Sequence, residues 1–329
     1  MLDVKIKNDT IHIGRHFSVK FQRTLRIPDD GNTYPLPPGL DEFPVFRIED
    51  YEQRVPVGWK EHGGVFIPMY QREALWLWFE GAYWRPNAVK VAVGKVNALT
   101  GKRLHRKLNR TRQNYLVCPD QPWLDGINAG EGYVRQFVAM PLGMGYTVEG
   151  QVTGKEEFGG MQIIVFDPKP GKFPDKAPEE EQANYTLADY DQPAPSEGAE
   201  MGLAAGGKMQ QELYPDEYGA DTWDQDNYGR VFVHIVNSMM FREITGLEPP
   251  PTPVSARTYT EYGLPWFELY DEDKGDIDPA DKLAKVKTVK QMDKEKGFDP
   301  QQDDTSVQIE KQQIQGLKKC EEKIKDGKW

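Results

Sequence analysis

Proline and glycine punctuate this chain so densely that long helices are excluded over most of it. The chain holds 25 prolines and 31 glycines among 329 residues, about one position in six. Proline removes a backbone donor and fixes φ, and glycine costs the most entropy to order, so both gather at turns and element ends. Between them, apolar and polar residues alternate with a period of two. VKIKNDTIHIG and HFSVKFQRTLRI read as strands, with Val19, Phe21 and, after a slip, Leu25 and Ile27 facing one way. AVKVAVGKVNALTG continues the pattern through Val89, Val91 and Val93, and LVCPD, YVRQFVAMPL, YTVEGQVTG and MQIIVF add four more candidates. QREALWLWFEGAYW suits a strand and a helix equally, because alternation and helical spacing both fit. Short strands at this spacing predict a mainly β protein, a β-sandwich or barrel-like core with a few short helices and an amphipathic C-terminal helical tail.

Four segments follow. Residues 1–166 form an N-terminal β domain. Residues 167–200, rich in Pro, Glu, Asp and Ala, make an acidic linker or long loop. Residues 201–270 form a smaller β-plus-helix block able to complete the first core. In it RVFVHIV is a strand, SMMFREITG a helix capped by Ser238 and stopped by Gly246, and YGLPWFELY a last strand for the first sheet. Residues 271–329 are a charged helical tail. It starts at Asp278-Pro279, puts Leu283, Val286 and Val289 on one face, and spaces Val307, Ile314, Leu317 and Ile324 as an amphipathic helix would.

The net charge is −11, unevenly placed. Residues 1–154 carry 20 Lys and Arg against 16 Asp and Glu, whereas the remainder carries 21 against 36. An acidic total argues against nucleic acid as a general partner, since Lys and Arg neutralisation of phosphate supplies non-specific affinity. The asymmetry favours association between unlike-charged surfaces, including those of two copies of the chain. Two cysteines are too few for a disulfide framework or a cysteine zinc cage. With no apolar run near the roughly 18 residues that span a bilayer, and no signal-peptide pattern in MLDVKIKNDTIHIG, the expectation is a cytoplasmic protein without membrane insertion.

Few motifs announce chemistry. GLAAGGKM, residues 202–209, has the G-x-x-x-x-G-K spacing of a phosphate loop, but Met209 stands where a hydroxyl would hold magnesium, and no apolar strand precedes it. It is expected to be a small-residue turn rather than a nucleotide site. LGMGYTVEG lacks G-x-G-x-x-G spacing, and its glycines suit hairpin turns. DEDKGDIDPADK misplaces the glycine and final acid of a calcium loop. The five histidines are scattered, so no metal and no cofactor is implied.

Two clusters remain as candidate binding sites. GKRLHRKLNRTR gathers Lys102, Arg103, Arg106 and Lys107 around His105, a solvated loop or a docking site for an acidic protein surface, such as residues 177–200 of a neighbouring copy. YGADTWDQDNYGR sets Asp221, Asp224 and Asp226 beside Trp223, an Asx-rich turn or a sugar-binding cluster. The functional expectation is a non-enzymatic protein-binding or self-assembling protein. The alternative is a carbohydrate-binding or carbohydrate-processing one.

Overall fold

The computed structural model describes residues 1–177, 200–252, 254–268, 275–299, 301 and 304–316. It is mainly β. The first elements are β1 (Val4–Lys7), β2 (Thr10–Ile13), β3 (Phe17–Thr24), β4 (Thr33–Tyr34), β5 (Gly39–Glu42), β6 (Phe46–Arg47) and helix α1 (Val57–His62). Next come β7 (Val65–Pro68), β8 (Ala74–Gly81), β9 (Asn87–Val93), β10 (Val96–Asn97), β11 (Leu116–Cys118), β12 (Trp123–Leu124) and β13 (Gly126–Gly130). After β14 (Tyr133–Pro141), α2 (Val148–Thr153) and β15 (Met161–Pro168), the long strands β16 (Glu200–Gln210) and β17 (Trp223–Val236) complete a 17-stranded network.

Two antiparallel runs make up most of this network. One passes β2, β3, β8, β14, β16, and the other β17, β15, β9, β11. They meet where Glu200 and Met201 of β16 face Val236 and Ile235 of β17. Because side chains alternate along a strand, each run turns one face inward. Phe21, Leu77 and Phe137 of the first run share one apolar cluster with Val91, Ile163 and Val233 of the second. The result is sandwich-like and does not close into a barrel. The strands of residues 200–236 therefore lie within the same sheet as those of the first 168 residues.

Local chemistry decides several elements differently from periodicity. QREALWLWFEGAYW resolves as strand β8, with Leu75, Leu77 and Phe79 buried. YTVEGQVTG is helix α2, not a strand. Thr147 caps it by accepting the Gly150 N–H at 3.0 Å, and Gly154 ends it at φ +79°, so the caps override β propensity. GLAAGGKM is not a turn but the middle of β16, paired with β14. Its glycines do mark close approach, since a Cβ on Gly207 would sit 2.4 Å from the Pro28 carbonyl oxygen.

The C-terminal elements are α3 (Ser238–Thr245), α4 (Ala256–Glu261), β18 (Trp266–Glu268), α5 (Asp281–Ala284), α6 (Val289–Lys296) and β19 (Ile314–Gly316). Asn237 rather than Ser238 caps α3, accepting the Met240 N–H at 2.8 Å, and Gly246 ends it as expected. β18 pairs in parallel with β19, and its contact with the first sheet is an antiparallel bridge in which Phe267 and Leu36, just past β4, exchange backbone hydrogen bonds at 2.9 and 2.8 Å. Helix α5 runs from Asp281 with Ala280 in extended conformation as its N-cap, two residues after the expected cap Asp278. Leu283, Val286 and Val289 are all buried. The segment around Val307 and Ile314 is extended and 3₁₀ rather than an amphipathic helix, and Leu317 and Ile324 lie outside the described residues. Among the described residues no helix is long and apolar enough to cross a membrane.

Candidate functional site

The basic run 101–112 hides two leucines among its charges, and these decide where it goes. Leu104 and Leu108 pack with Ala88, Tyr115, Val117, Ile164, Phe166 and Trp223 on the outer face of β9, β15 and β17. Asn97 and Asn114 fix the loop from below. Asn97 Nδ2 donates to the Asn114 carbonyl at 2.9 Å, and Asn114 Oδ1 accepts the Asn109 N–H at 3.0 Å. Leu108 N–H donates to Gln225 Oε1 at 2.9 Å. The loop is thus anchored to the sheet through its leucines, while its charged residues from Lys102 to Arg112 stay exposed.

Beneath it lies Lys90, fully buried at the centre of β9. Its Nζ donates to the carbonyls of His105 and Lys107 at 2.7 and 2.6 Å, with that of Arg106 at 3.5 Å. Burial pushes its pKa down to about 8, so near neutral pH it is still an ammonium. No carboxylate pairs with it among the described residues. Its protons go instead to backbone dipoles, which hold three consecutive loop residues over the strand. Lys90→Met is expected to raise amide exchange at residues 103–108 about tenfold or more, since charge-assisted bonds contribute about 1.5–3 kcal/mol each. Hydrogen-exchange mass spectrometry reads this directly, and unchanged protection would mean that the leucines alone hold the loop.

Beside the loop opens a cavity of about 200 Å³. Its floor is Gln162 and Ile164 of β15 with Tyr228 and Arg230 of β17, and its wall is Lys95 with Arg103, Leu104, His105 and Arg106. The register explains the floor, because Lys90 faces Ile164 and Ile164 faces Arg230 across the three strands. Lys95 Nζ stands 3.4 Å from the centroid of Phe158, and the Arg106 guanidinium lies 5.0 Å from that of Tyr228. None of Lys95, Arg103, Arg106 and Arg230 joins an ion pair among the described residues. Among the described residues no carboxylate lines the cavity. The His105 pKa is lowered by burial and then by the charges of Lys90 and Lys102, so the ring is neutral near pH 7.

A second cavity of about 310 Å³ lies on the other flank of the loop, between Lys102, Arg110 and Arg112 and the segment from Asp276 to Lys282. Here the cations face Asp278 and Asp281. Asp276 is committed elsewhere, accepting the N–H groups of Leu213 and Gly132 at 2.7 Å each. That use of Asp276 in backbone capping accounts for part of the calcium-like run, whose residues 271–274 lie outside the described residues.

The sequence candidates therefore separate. Arg103 and Arg106 line the first cavity, Lys102 borders the second, and Lys107 contributes its carbonyl to Lys90 while its side chain is exposed. Trp223 is fully buried and donates Nε1–H to Asp216 Oδ2 at 3.2 Å, so it presents no ring to a ligand. Asp216 also accepts from the Tyr115 hydroxyl, a buried knot that closes this part of the core. Asp224 accepts the N–H groups of Asp226 and Asn227 at 3.1 and 3.2 Å, an Asx turn, while Asp221 and Asp226 are exposed. Sequence reasoning missed Lys90, Lys95 and Arg230. A lysine within the otherwise apolar NAVKVAV was the one available signal.

The glycine turn before α2 carries its own anion. Glu156 Oε2 accepts the N–H groups of Gly143 and Gly145 at 2.6 and 3.1 Å, and Oε1 accepts those of Thr147, the backbone at 3.2 Å and the hydroxyl at 2.5 Å. A carboxylate of the same chain fills the position an outside phosphate would take. Among the described residues no three His, Cys, Asp or Glu side chains gather as they would around a metal ion. Comparison with protein families, curated proteins and solved structures returned no match.

Proposed function

We propose that this is a non-enzymatic binding protein whose basic cleft receives an acidic segment of a protein partner, with a second copy of the chain as one such partner. One observation carries this reading: in a chain of net charge −11, four cations surround a cavity that, among the described residues, has no carboxylate in its lining and no ion pair to any of the four. Grouping four like charges opposes folding unless an anion relieves it. The cleft is narrow enough for one or two carboxylate side chains, and its arginines offer planar forks that match them. The loop that forms its wall is held in place before any ligand arrives, which lowers the ordering cost of binding.

A labelled synthetic peptide of residues 177–200, which carries seven Asp and Glu and no Lys or Arg, is a convenient acidic probe. Fluorescence anisotropy with the intact protein is expected to show saturable binding that weakens as salt screens the cleft. The double variant Arg103→Glu, Arg106→Glu is expected to bind about 100-fold more weakly, because it sets like charges against the peptide. Binding indifferent to both salt and charge reversal would sink the reading. Sedimentation velocity at low and high salt tests the self-association form, in which mass falls as salt rises.

A further inference from the structure

We infer that the outer face of β5, β3, β8 and β12 is a second binding surface, one that takes a neutral β-linked glycan chain. The face follows from register. Lys20 of β3 stands opposite Trp78 of β8, Gln22 opposite Trp76, and Trp78 opposite Trp123 of β12, while Glu42 of β5 stands opposite Gln22. The alternate residues Val19, Phe21, Leu77 and Phe79 fill the core, so Lys20, Gln22, Trp76, Trp78 and Trp123 share the other side. Each of the three tryptophans remains partly exposed. Trp76 lies 6.1 Å from Trp78 and 6.2 Å from Trp123 between ring centroids. Trp76 Nε1 has no hydrogen-bond partner among the described residues.

The polar groups beside the rings are arranged for hydroxyls. Lys20 Nζ bridges Glu42 at 3.0 Å and Glu80 at 3.6 Å, and it leans over the Trp78 ring at 5.3 Å from the centroid. Gln22 Nε2 donates to Glu42 at 3.3 Å, and Ser18 Oγ donates to Glu80 at 2.9 Å. This leaves the rings of Trp76 and Trp123 to stack against ligand, with the partly exposed Lys20, Glu42 and Glu80 at their edge and Gln22 and Ser18 buried behind them. A pyranose ring matches that pattern, since it offers a flat C–H face and a rim of hydroxyls.

Charge narrows the class further. Lys20 between the two carboxylates Glu42 and Glu80 leaves the face with a net charge of −1, opposite in sign to the cleft around Arg106, so an anionic polymer is repelled here while a neutral one is not. The same ammonium keeps both carboxylates occupied as acceptors, whereas glycoside cleavage needs one of them to carry a proton to the leaving oxygen. The face is therefore suited to holding a glycan and not to cutting it. It is independent of the basic cleft and does not include the Asp221 to Asp226 cluster.

Isothermal titration calorimetry of the full chain with cellohexaose tests the inference. Saturable binding is expected, weakened about tenfold by Trp76→Ala and again by Trp123→Ala, and restored in large part by Trp76→Tyr, which returns a ring. The Arg103→Glu, Arg106→Glu protein is expected to bind cellohexaose as the parent does, which separates this site from the cleft. Thermal denaturation of each variant distinguishes a lost site from a lost fold, and Lys20→Met, which removes the bridging ammonium but no ring, is expected to weaken binding severalfold. Absence of heat with cellohexaose, xylohexaose and mannohexaose alike would overturn the inference. So would an affinity unchanged in folded Trp76→Ala and Trp123→Ala proteins, or retention of heparin alone that disappears on reversing Arg103 and Arg106.

Discussion

Asp125→Asn should make the protein more stable at pH 8 to 9 by about 4 kcal/mol. Asp125 sits between β12 and β13 with 2% of its surface exposed. Its backbone N–H donates to Gln211 Oε1 at 3.0 Å, and its Oδ2 accepts Gln211 Nε2–H at 2.7 Å. Burial pushes its pKa up to about 7, and the single bond from Gln211 opposes this only in part. In the unfolded chain the carboxyl titrates near 3.8. The folded state therefore holds more protons between these values, so the stability associated with Asp125 is fully present below about pH 3.8 and is lost as pH rises through about 7. Asn keeps an acceptor for Gln211 and never ionises, so the decline that runs from about pH 3.8 to about 7 should vanish along with the cost. Urea midpoints measured at intervals from pH 5 to 9 check both, and parallel curves for the two proteins would show that Asp125 titrates normally.

Strand and turn chemistry made the sheet legible in advance, and the reasons for the exceptions are local. Val89, Val91 and Val93 face the core as alternation requires. The helix at 148–153 escaped because Val148 and Val152 look like strand residues, while its cap, Thr147, and its stop, Gly154, stand inside the same run and read there as strand and turn residues. Periodicity measures which side is apolar, and capping decides which backbone is allowed. GLAAGGKM misled in the opposite sense. Its small residues resemble a turn in isolation, yet Val138 of β14 crowds Gly206 and the Pro28 carbonyl crowds Gly207 so closely that a Cβ at either would clash within the strand.

The candidate site was legible by half. Charge density marked residues 102–107, and the apolar pair Leu104 and Leu108 explains why that density is folded onto the sheet rather than left in water. What no spacing could reveal is that Lys95 and Arg230, 135 positions apart in sequence, meet at one cavity. Their meeting depends on the pairing of β15 with both β9 and β17, a long-range register. The tryptophans of β8 show the converse. Their identity was plain in LWLWFEG, but Trp123, Lys20 and Glu42 come from three other strands, so the face exists only once the strands are paired. Sites built from side chains of several strands are written in pairing, which a single chain does not print.

Asp293→Ala should cost about 3–5 kcal/mol, the range for removing one partner of a buried ion pair. Asp293 lies in α6, with 4% of its surface exposed. Its two oxygens tie the C-terminal segment to two different parts of the first half of the chain: Oδ1 accepts the Tyr146 hydroxyl at 2.7 Å, and Oδ2 pairs with Arg72. Arg72 Nη2 also approaches Asp304 Oδ2 at 3.8 Å, and Asp304 Oδ1 accepts from Arg26 Nη2 at 2.8 Å. Arg26 and Arg72 thus reach from the first half of the chain to two carboxylates near its end, and α6 is clamped beside Val289, which is buried among Ala74, Val138 and Ala204. Removing the Asp293 carboxylate strands Arg72 at the edge of the core and leaves the Tyr146 hydroxyl without its acceptor. Asp293→Asn should cost less, because its amide oxygen still receives the Tyr146 proton. The helix itself is well capped, with Thr288 and Gln291 bonded reciprocally at its start and Gly297 at φ +75° past its end, so the loss falls on docking rather than on helix formation. Limited proteolysis should accordingly open the segment 288–299 in the alanine variant well before the sheet unfolds in urea. Simultaneous loss of both signals would instead make α6 an inseparable part of the sheet's cooperative unit.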